Sequence, residues 1–472
     1  MRLLSAFAVF LLTLSGLASA GGFDDAFTGA TMRVDYMHCG TADEEHFARE
    51  RVLIEGPWPG SRTRLIDSSN LGKYLVEVAD LSSHQVLYSR GFCSIYGEWE
   101  TTGEARTGVF RCIPEAVRVP EPRRPVQVRL RKRGDDQSFT EVWTTTIDPA
   151  SRFVARPPSR QGTVTAILEH GEPAVKVDLL VLGDGYTAAQ MAKFHADARR
   201  LIGVLFEHEP YASRRDDFNV WMVDTPATHA GISRPRAGVF RDSPLGASYN
   251  SFDSERYVLS LDDRRWRDAA AAAPYDFVLI LVNEKKYGGG GIHNLYATSS
   301  VDSAFSSYVV VHELGHHIAG LGDEYFTSAV AYEDFAGSAV EPWELNITAL
   351  VDPSTLKWKD LVDADTPLPT PWDRDAYIER SRELQERRRA LRAEGKTEEE
   401  VERLFFEERR LFTRMLADED FAGTVGAFEG AMYAASGLYR PTVDCIMFTR
   451  DEVGFCPVCR RALDMVFDMY TR

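Results

Sequence analysis

Histidine and cysteine are scarce in this sequence: 11 and 6 residues in a chain of 472. Positive charge is also short, with 54 Lys and Arg against 71 Asp and Glu, for a formal charge of −17. Phosphate recognition needs a basic face, so no nucleic-acid partner is expected. Beyond the N-terminal residues no stretch reaches about 18 uninterrupted apolar positions, so no transmembrane segment is expected. A long helical period is missing from residues 23 to about 150. The remaining composition, 44% hydrophobic, is that of a globular protein, and the length implies roughly two or three domains.

The first residues have a different character. Arg2 supplies a short positive start, Leu3 to Leu17 is largely apolar, and Ala18-Ser19-Ala20 is a small-residue cleavage pattern. Residues 1–20 are therefore expected to be a signal peptide. No cysteine follows to take a lipid anchor, so the expectation is a secreted or periplasmic chain starting near Gly21. Export makes disulfides the default for cysteines. Cys39, Cys93 and Cys112 form one cluster and Cys445, Cys456 and Cys459 another, so either a bridge joins the clusters or each keeps a free thiol. The Cys-Pro-Val-Cys pair would suit a redox site or half a zinc knuckle, but a knuckle needs four ligands.

The fold class expected is multidomain α+β. Residues 21–150 read as a β-sandwich: Val126, Val128 and Leu130 alternate with polar residues, and Gly134-Asp135-Asp136 turns the chain into the threonine-rich run from Val142 to Ile147. Residues 151–162, with Arg156-Pro157-Pro158-Ser159, read as a linker. From 163 to 472 the pattern becomes α/β. Val175 to Leu182 is a buried strand, Thr187 can cap a helix carrying Met191, Phe194, Ala198, Leu201 and Leu205, and further strands fall at Phe218 to Val223 and Phe277 to Val282. Residues 375–418, dense in Arg and Glu around Gly395-Lys396-Thr397, read as a helical hairpin inserted in this domain with a solvated face.

The chemistry concentrates at His312-Glu313-Leu314-Gly315-His316. Histidines four apart on a helix project from one face and can converge on one ion. Glu313, one step round, can reach a water beside that ion and take its proton. The pattern would arise by chance in roughly two of a hundred such chains. After His316 the sequence runs His317-Ile318-Ala319-Gly320-Leu321-Gly322-Asp323-Glu324-Tyr325. Gly320 can end the helix in the left-handed conformation, and the turn can bring Asp323 or Glu324 back over the metal.

The segment from 312 to 325 resembles the IgA-peptidase family of zinc metallopeptidases (M64), which is related to metzincins. The likeness extends through Gly426-Ala427-Phe428-Glu429-Gly430-Ala431, Tyr439-Arg440-Pro441 and the stretch from Cys445 to Cys459. It implies a metzincin-like catalytic domain, zinc (Zn2+) on His312 and His316, Glu313 as general base, and Met447 in a turn beneath the metal. The glycine that ends the helix stands four positions after His316, one more than in metzincins, and Asp323 stands three beyond it. Asp323 is the expected third ligand, with Glu324 the alternative. A late disulfide from Cys445, Cys456 or Cys459 would fix the Met447 turn.

Other residues give smaller expectations. Tyr439 is a possible oxyanion donor, and its alternative is a packed tyrosine. Gly183-Asp184-Gly185 lacks the third glycine of a dinucleotide site and reads as a tight turn. Gly288 to Gly291 would let an extended peptide approach an edge strand. His317 reads as structural, and Asn346-Ile347-Thr348 as a glycosylation acceptor. The expected reaction is hydrolysis of peptide bonds in a protein or peptide substrate, and the family's name does not make immunoglobulin A that substrate. The rival readings are a secreted binding protein with a structural zinc site and a zinc amidase acting on non-protein amides.

Overall fold

The structure, a computed structural model, describes residues 22–157, 162–327, 340–451 and 453–471. The expected signal peptide lies outside the described residues, as do Pro158 and Ser159 of the expected linker.

The N-terminal region is β-rich. One helical turn, α1 (Phe23–Ala26), leads into β1 (Phe27–Gly40), β2 (Glu45–Pro57), β3 (Tyr74–Asp80) and β4 (Val86–Phe92). Two short helices, α2 (Ile95–Trp99) and α3 (Gly103–Arg106), precede β5 (Arg111–Pro122), β6 (Val126–Arg133), β7 (Phe139–Ile147) and β8 (Val154–Ala155). They form two four-stranded sheets, ordered β5-β1-β2-β8 and β4-β3-β6-β7. Alternate residues of each sheet face the other: Val76, Val78, Val126, Val128 and Leu130 meet Val34, Tyr36, Val52 and Ile54 in one core. Cys39 and Cys112 pair across β1 and β5 and form a disulfide, leaving Cys93 free and buried. At the start of the expected linker, β8 pairs with Val52 and Leu53 and so belongs to the first sheet.

The second region is built on a six-stranded sheet. Its strands are β9 (Val164–Leu168), β10 (Val177–Asp184), β11 (Phe218–Val223), β14 (Phe277–Val282), β15 (Gly289–Ile292) and β16 (Tyr296–Ser300), in the order β15-β16-β14-β10-β11-β9. The four inner strands are parallel and the two outer ones antiparallel. Between β11 and β14 come a small ribbon, β12 (Ala247–Ser248) with β13 (Leu259–Ser260), and helix α5 (Asp263–Ala270).

Of the inner strands, β14 is apolar throughout and β10 and β11 are mostly apolar, because both faces are covered, whereas β16 is buried but carries Thr298, Ser299 and Ser300. Leu179 and Val181 of β10 face a core shared with helices α4 (Met191–Leu205), α6 (Ser306–Ala319) and α9 (Pro457–Thr471). Leu180 and Leu182 face the opposite core, closed by Trp266 of α5 and by Ile95, Tyr96 and Trp99 from the N-terminal region. Helix α6 begins at Ser306, so Val309, Val310 and Val311 are helical although β-branched residues favour strands. Their burial against the sheet and α4 outweighs a propensity deficit of at most about 0.7 kcal/mol per residue.

The charged segment forms α7 (Arg374–Ala393) and α8 (Glu398–Ala417), separated by Gly395 at φ 67°. Its expected solvated character holds on one side only. Val401 and Phe405 pack with Tyr287, Phe305 and Val309 at the start of α6, while Leu384, Leu404, Phe412 and Leu416 join the main core. Glu402 accepts hydrogen bonds from Ser303 Oγ (3.1 Å) and Ala304 N (2.8 Å), satisfying polar groups just before α6. The hairpin thus supports the helix carrying His312. A last hairpin, β17 (Phe428–Ala431) and β18 (Ala434–Arg440), precedes α9.

Phe405→Ala should destabilise the protein by about 3–5 kcal/mol in denaturant titration, as loss of a buried phenylalanine does. Arg387→Ala, which removes an exposed pair with Glu407, should leave the unfolding midpoint nearly unchanged. Equal small effects would mean the hairpin is a solvated arm.

Candidate functional site

Helix α6 lies close against β15 and β16, and glycine makes this possible. A Cβ on Gly291 would stand 2.3 Å from the Glu313 carbonyl oxygen, and one on Gly289 would stand 2.5 Å from Val309. The helix ends at Gly320, whose φ of 57° and ψ of 33° are left-handed, and the chain turns back over the helix face. His312, His316 and Asp323 come together there. His312 Nε2 and His316 Nε2 are 3.1 Å apart, and Asp323 Oδ1 lies 3.2 Å and 3.1 Å from them.

The hydrogen bonds around this triangle determine its chemistry. His312 Nδ1 donates to the Ile446 carbonyl at 2.9 Å, and His316 Nδ1 donates to the Leu321 carbonyl. A carbonyl can only accept, so neutral rings present their Nε2 lone pairs to Asp323. Asp323 Oδ1 is buried and accepts no hydrogen bond. Three electron-rich atoms thus face one another, which suits a cation among them. A proton competes with a cation for His316 Nε2: burial works against charge there, yet Asp323 raises its pKa to about 9. Asp323 in turn is held well below the usual carboxylate range: burial opposes this, but the two imidazoles outweigh it. Glu313 lines the same cleft, and burial pushes its carboxyl up despite the nearby imidazoles. A raised carboxyl sits closer to neutral pH, where a general base is effective.

Asp323, rather than Glu324, joins the histidines. Glu324 is fully buried on the other side of the loop, where Asn346 Nδ2 (2.9 Å) and the Cys459 thiol (3.3 Å) contact its Oε1. It orients neither imidazole. Asn346 also exchanges hydrogen bonds with Gly322 N (2.8 Å) and O (3.0 Å) and has no exposed surface. The glycosylation reading is therefore wrong: this asparagine ties down the loop that delivers Asp323. Nothing in the tripeptide signals that role.

Met447 lies beneath α6. A Cβ on Gly315 would stand 2.9 Å from Met447 Sδ and 3.0 Å from the Phe455 ring, so glycine lets the helix settle on the methionine. The Met447 carbonyl accepts from Glu324 N at 2.9 Å, and the preceding carbonyl holds His312. The disulfide expected beside this turn is not formed. Cys445, Cys456 and Cys459 are free, and the Cys445 and Cys459 sulfurs are 3.9 Å apart.

The site opens into a cleft of about 300 Å³ whose far wall comes from the N-terminal region through Lys73, Glu98 and Thr101. A larger cavity of about 1230 Å³, near Phe23, Arg64 and Met469, is lined by neither histidine nor cysteine, so size alone does not locate the chemistry. Tyr439 is not in the cleft; its backbone pairs with Glu429 and Thr348 on β18. The tyrosines that line the cleft include Tyr308, Tyr325 and Tyr433. Tyr433 donates to Asp323 Oδ2 and lies 3.2 Å from the Tyr325 hydroxyl. It occupies the β17–β18 turn with Met432, both at positive φ (63° and 44°), where non-glycine residues cost about 1–3 kcal/mol each. Met432 N bonds to Asp323 O (2.9 Å) and Tyr433 N to Tyr325 O (3.1 Å), which anchors the strained turn to the loop that carries Asp323.

The edge at Gly288 to Gly291 is less open than expected. Gly289 already exchanges backbone bonds of 3.1 Å with Arg256 O and Val258 N, and the glycines are required by helix and aromatic packing. His317 is buried, with Nδ1 donating to Ile292 O and Nε2 accepting from Val278 N, both at 3.0 Å. Burial lowers its pKa to about 3, and the neutral ring pins α6 to the sheet. At the end of β10, Asp184 accepts from Ser243 Oγ and Ala247 N and organises a loop.

A family model described as IgA Peptidase M64 matches residues 165–467, and one described as Peptidase M64 N-terminus matches residues 22–144. No curated protein matches the chain.

Met447→Leu should cost less than about 1.5 kcal/mol, since volume is conserved. Met447→Ala should cost about 2–5 kcal/mol and speed metal loss to a chelator, because the helix would lose its floor. Equal chelator kinetics in wild type and Met447→Ala would separate Met447 from the site.

Proposed function

From the premise that this chain belongs to the IgA peptidase M64 family, and is thus a metallopeptidase hydrolysing peptide bonds, we propose that it is an exported, metzincin-like zinc endopeptidase acting on a protein substrate. His312, His316 and Asp323 hold the ion, and Glu313 is the general base. The observation that carries this reading is the buried, unpartnered Asp323 Oδ1 facing two imidazole Nε2 atoms whose Nδ1 protons are already committed. In tetrahedral zinc sites with metal–nitrogen distances near 2.0–2.1 Å, donor atoms stand about 3.3 Å apart, close to the 3.1–3.2 Å separations here.

When bound, zinc supplies Lewis acidity to the attacking water and to the scissile carbonyl. Glu313 takes the proton from that water and returns it to the departing amine. Asp323 balances charge, and the carbonyls of Ile446 and Leu321 keep both imidazoles in the ligating tautomer. Tyr433 takes over the donor role expected of Tyr439: its hydroxyl lies in the cleft against Asp323, and turning its one proton from Asp323 to the oxyanion makes it the donor there. Export is supported by the character of residues 1–20 and by the Cys39–Cys112 disulfide.

Glu313→Gln should lower turnover of a cleaved protein substrate by about 10²- to 10⁴-fold while metal content stays that of wild type. Asp323→Ala should instead release the metal. A Glu313→Gln enzyme of near-normal activity would remove this residue from the mechanism.

Tyr433→Phe should reduce kcat by about 10²- to 10³-fold, while Tyr439→Phe should match wild type. The reverse ranking in steady-state assays would return the donor role to Tyr439.

A further inference from the structure

The segments that carry Asp323 and Met447 also converge on a second group of side chains, on the far side of the ligand loop. Glu324, Cys445, Cys456 and Cys459 are all buried, and one ligand atom from each lies within 4.8 Å of the others. We propose that these four residues form a second, structural metal site that takes a zinc-class dication through three thiolates and one carboxylate.

The distances fit such an ion. Around a tetrahedral zinc with bonds of about 2.3 Å to sulfur and 2.0–2.2 Å to oxygen, two sulfurs stand about 3.8 Å apart and a sulfur and an oxygen about 3.5 Å. Cys445 Sγ and Cys459 Sγ are 3.9 Å apart, and Cys459 Sγ is 3.3 Å from Glu324 Oε1. A disulfide would require about 2.05 Å.

Two further observations point to a ligand. Glu324 has no exposed surface, and its Oε2 finds no hydrogen-bond partner, although a buried carboxylate oxygen left alone is costly. The sulfurs also receive backbone amides: Cys456 N points to Cys445 Sγ (3.4 Å) and Cys459 N to Cys456 Sγ (3.5 Å). Cys456 directly precedes α9 and Cys459 lies in its first turn, where the helix N-terminus favours negative charge. Soft thiolates with one carboxylate in a closed, buried position suit zinc in a structural role and leave no open position for a substrate.

The site has a defined task. Glu324 is next to Asp323 in sequence, and Cys445 is next to Ile446, whose carbonyl fixes His312. A dication there would fasten the ligand loop, the Met447 turn and the start of α9 to one point. It would thereby position the first site without touching the substrate.

The test uses the mature protein produced with zinc. Wild type should carry two equivalents per chain and His316→Ala one. The equivalent that remains in His316→Ala should show sulfur scatterers at about 2.3 Å by X-ray absorption. Its cobalt-substituted form should show thiolate-to-cobalt charge-transfer absorption. Cys456→Ser with Cys459→Ser should abolish both signatures. Should that double variant fail to fold, the spectra of His316→Ala still decide. Failure of the first zinc site would leave the sulfur-bound equivalent in place, so the two assignments are separable. Metal bound without sulfur scattering, or a Cys445–Cys459 disulfide in peptide mapping, overturns the proposal.

Discussion

A neutral imidazole turns its lone pair towards a metal through one nitrogen while the other keeps its proton, and a hydrogen-bond acceptor for that proton fixes which nitrogen is which. His312 and His316 sit on one helix, but their acceptors come from elsewhere: the Leu321 carbonyl just past Gly320, and the Ile446 carbonyl far along the chain. Much of the second region can be understood as the means of holding those two carbonyls still. Gly315 lets Met447 close beneath the helix, Glu324 N bonds to the Met447 carbonyl, and Asn346 braces Gly322. On the opposite side, the charged hairpin satisfies the polar groups before α6 through Glu402.

The parts legible in the sequence were those whose cause is local. The runs of β10, β11 and β14 are mostly apolar because both faces are covered, and Val126, Val128 and Leu130 alternate because β6 has one inner face. The helix end at Gly320 needed only the residue with the least resistance to positive φ. Where cause was distant, the residues alone left alternatives open or gave no signal. Asp323 and Glu324 are both carboxylates, and only the loop's path decides which side of it each one faces. Cys459 and Glu324 meet across 135 positions, a contact no spacing rule anticipates. The β17–β18 turn carries Met432 and Tyr433 where hairpins prefer Asn or Gly, so no turn signal pointed to Tyr433.

That hairpin also illustrates how strain is distributed. Two residues in left-handed conformations are unfavourable by themselves, and backbone bonds to Asp323 and Tyr325 offset the cost. The same bonds set the depth of Tyr433 in the cleft. The loop that carries Asp323 is thus held from both directions, by the hairpin on the cleft side and by Asn346 and the buried cysteines on the other.

Ile95, Tyr96 and Trp99 of the N-terminal region seal one face of the six-stranded sheet, and Lys73, Glu98 and Thr101 wall the cleft. This shapes what evolution can do with the gene. A recombination event that moved the second half alone to a new partner would export a sheet with a bare apolar side and a cleft missing a wall. The two halves are therefore expected to travel as a single heritable unit, and variation in what the enzyme cuts can arise by changes in a half that carries none of the candidate catalytic groups.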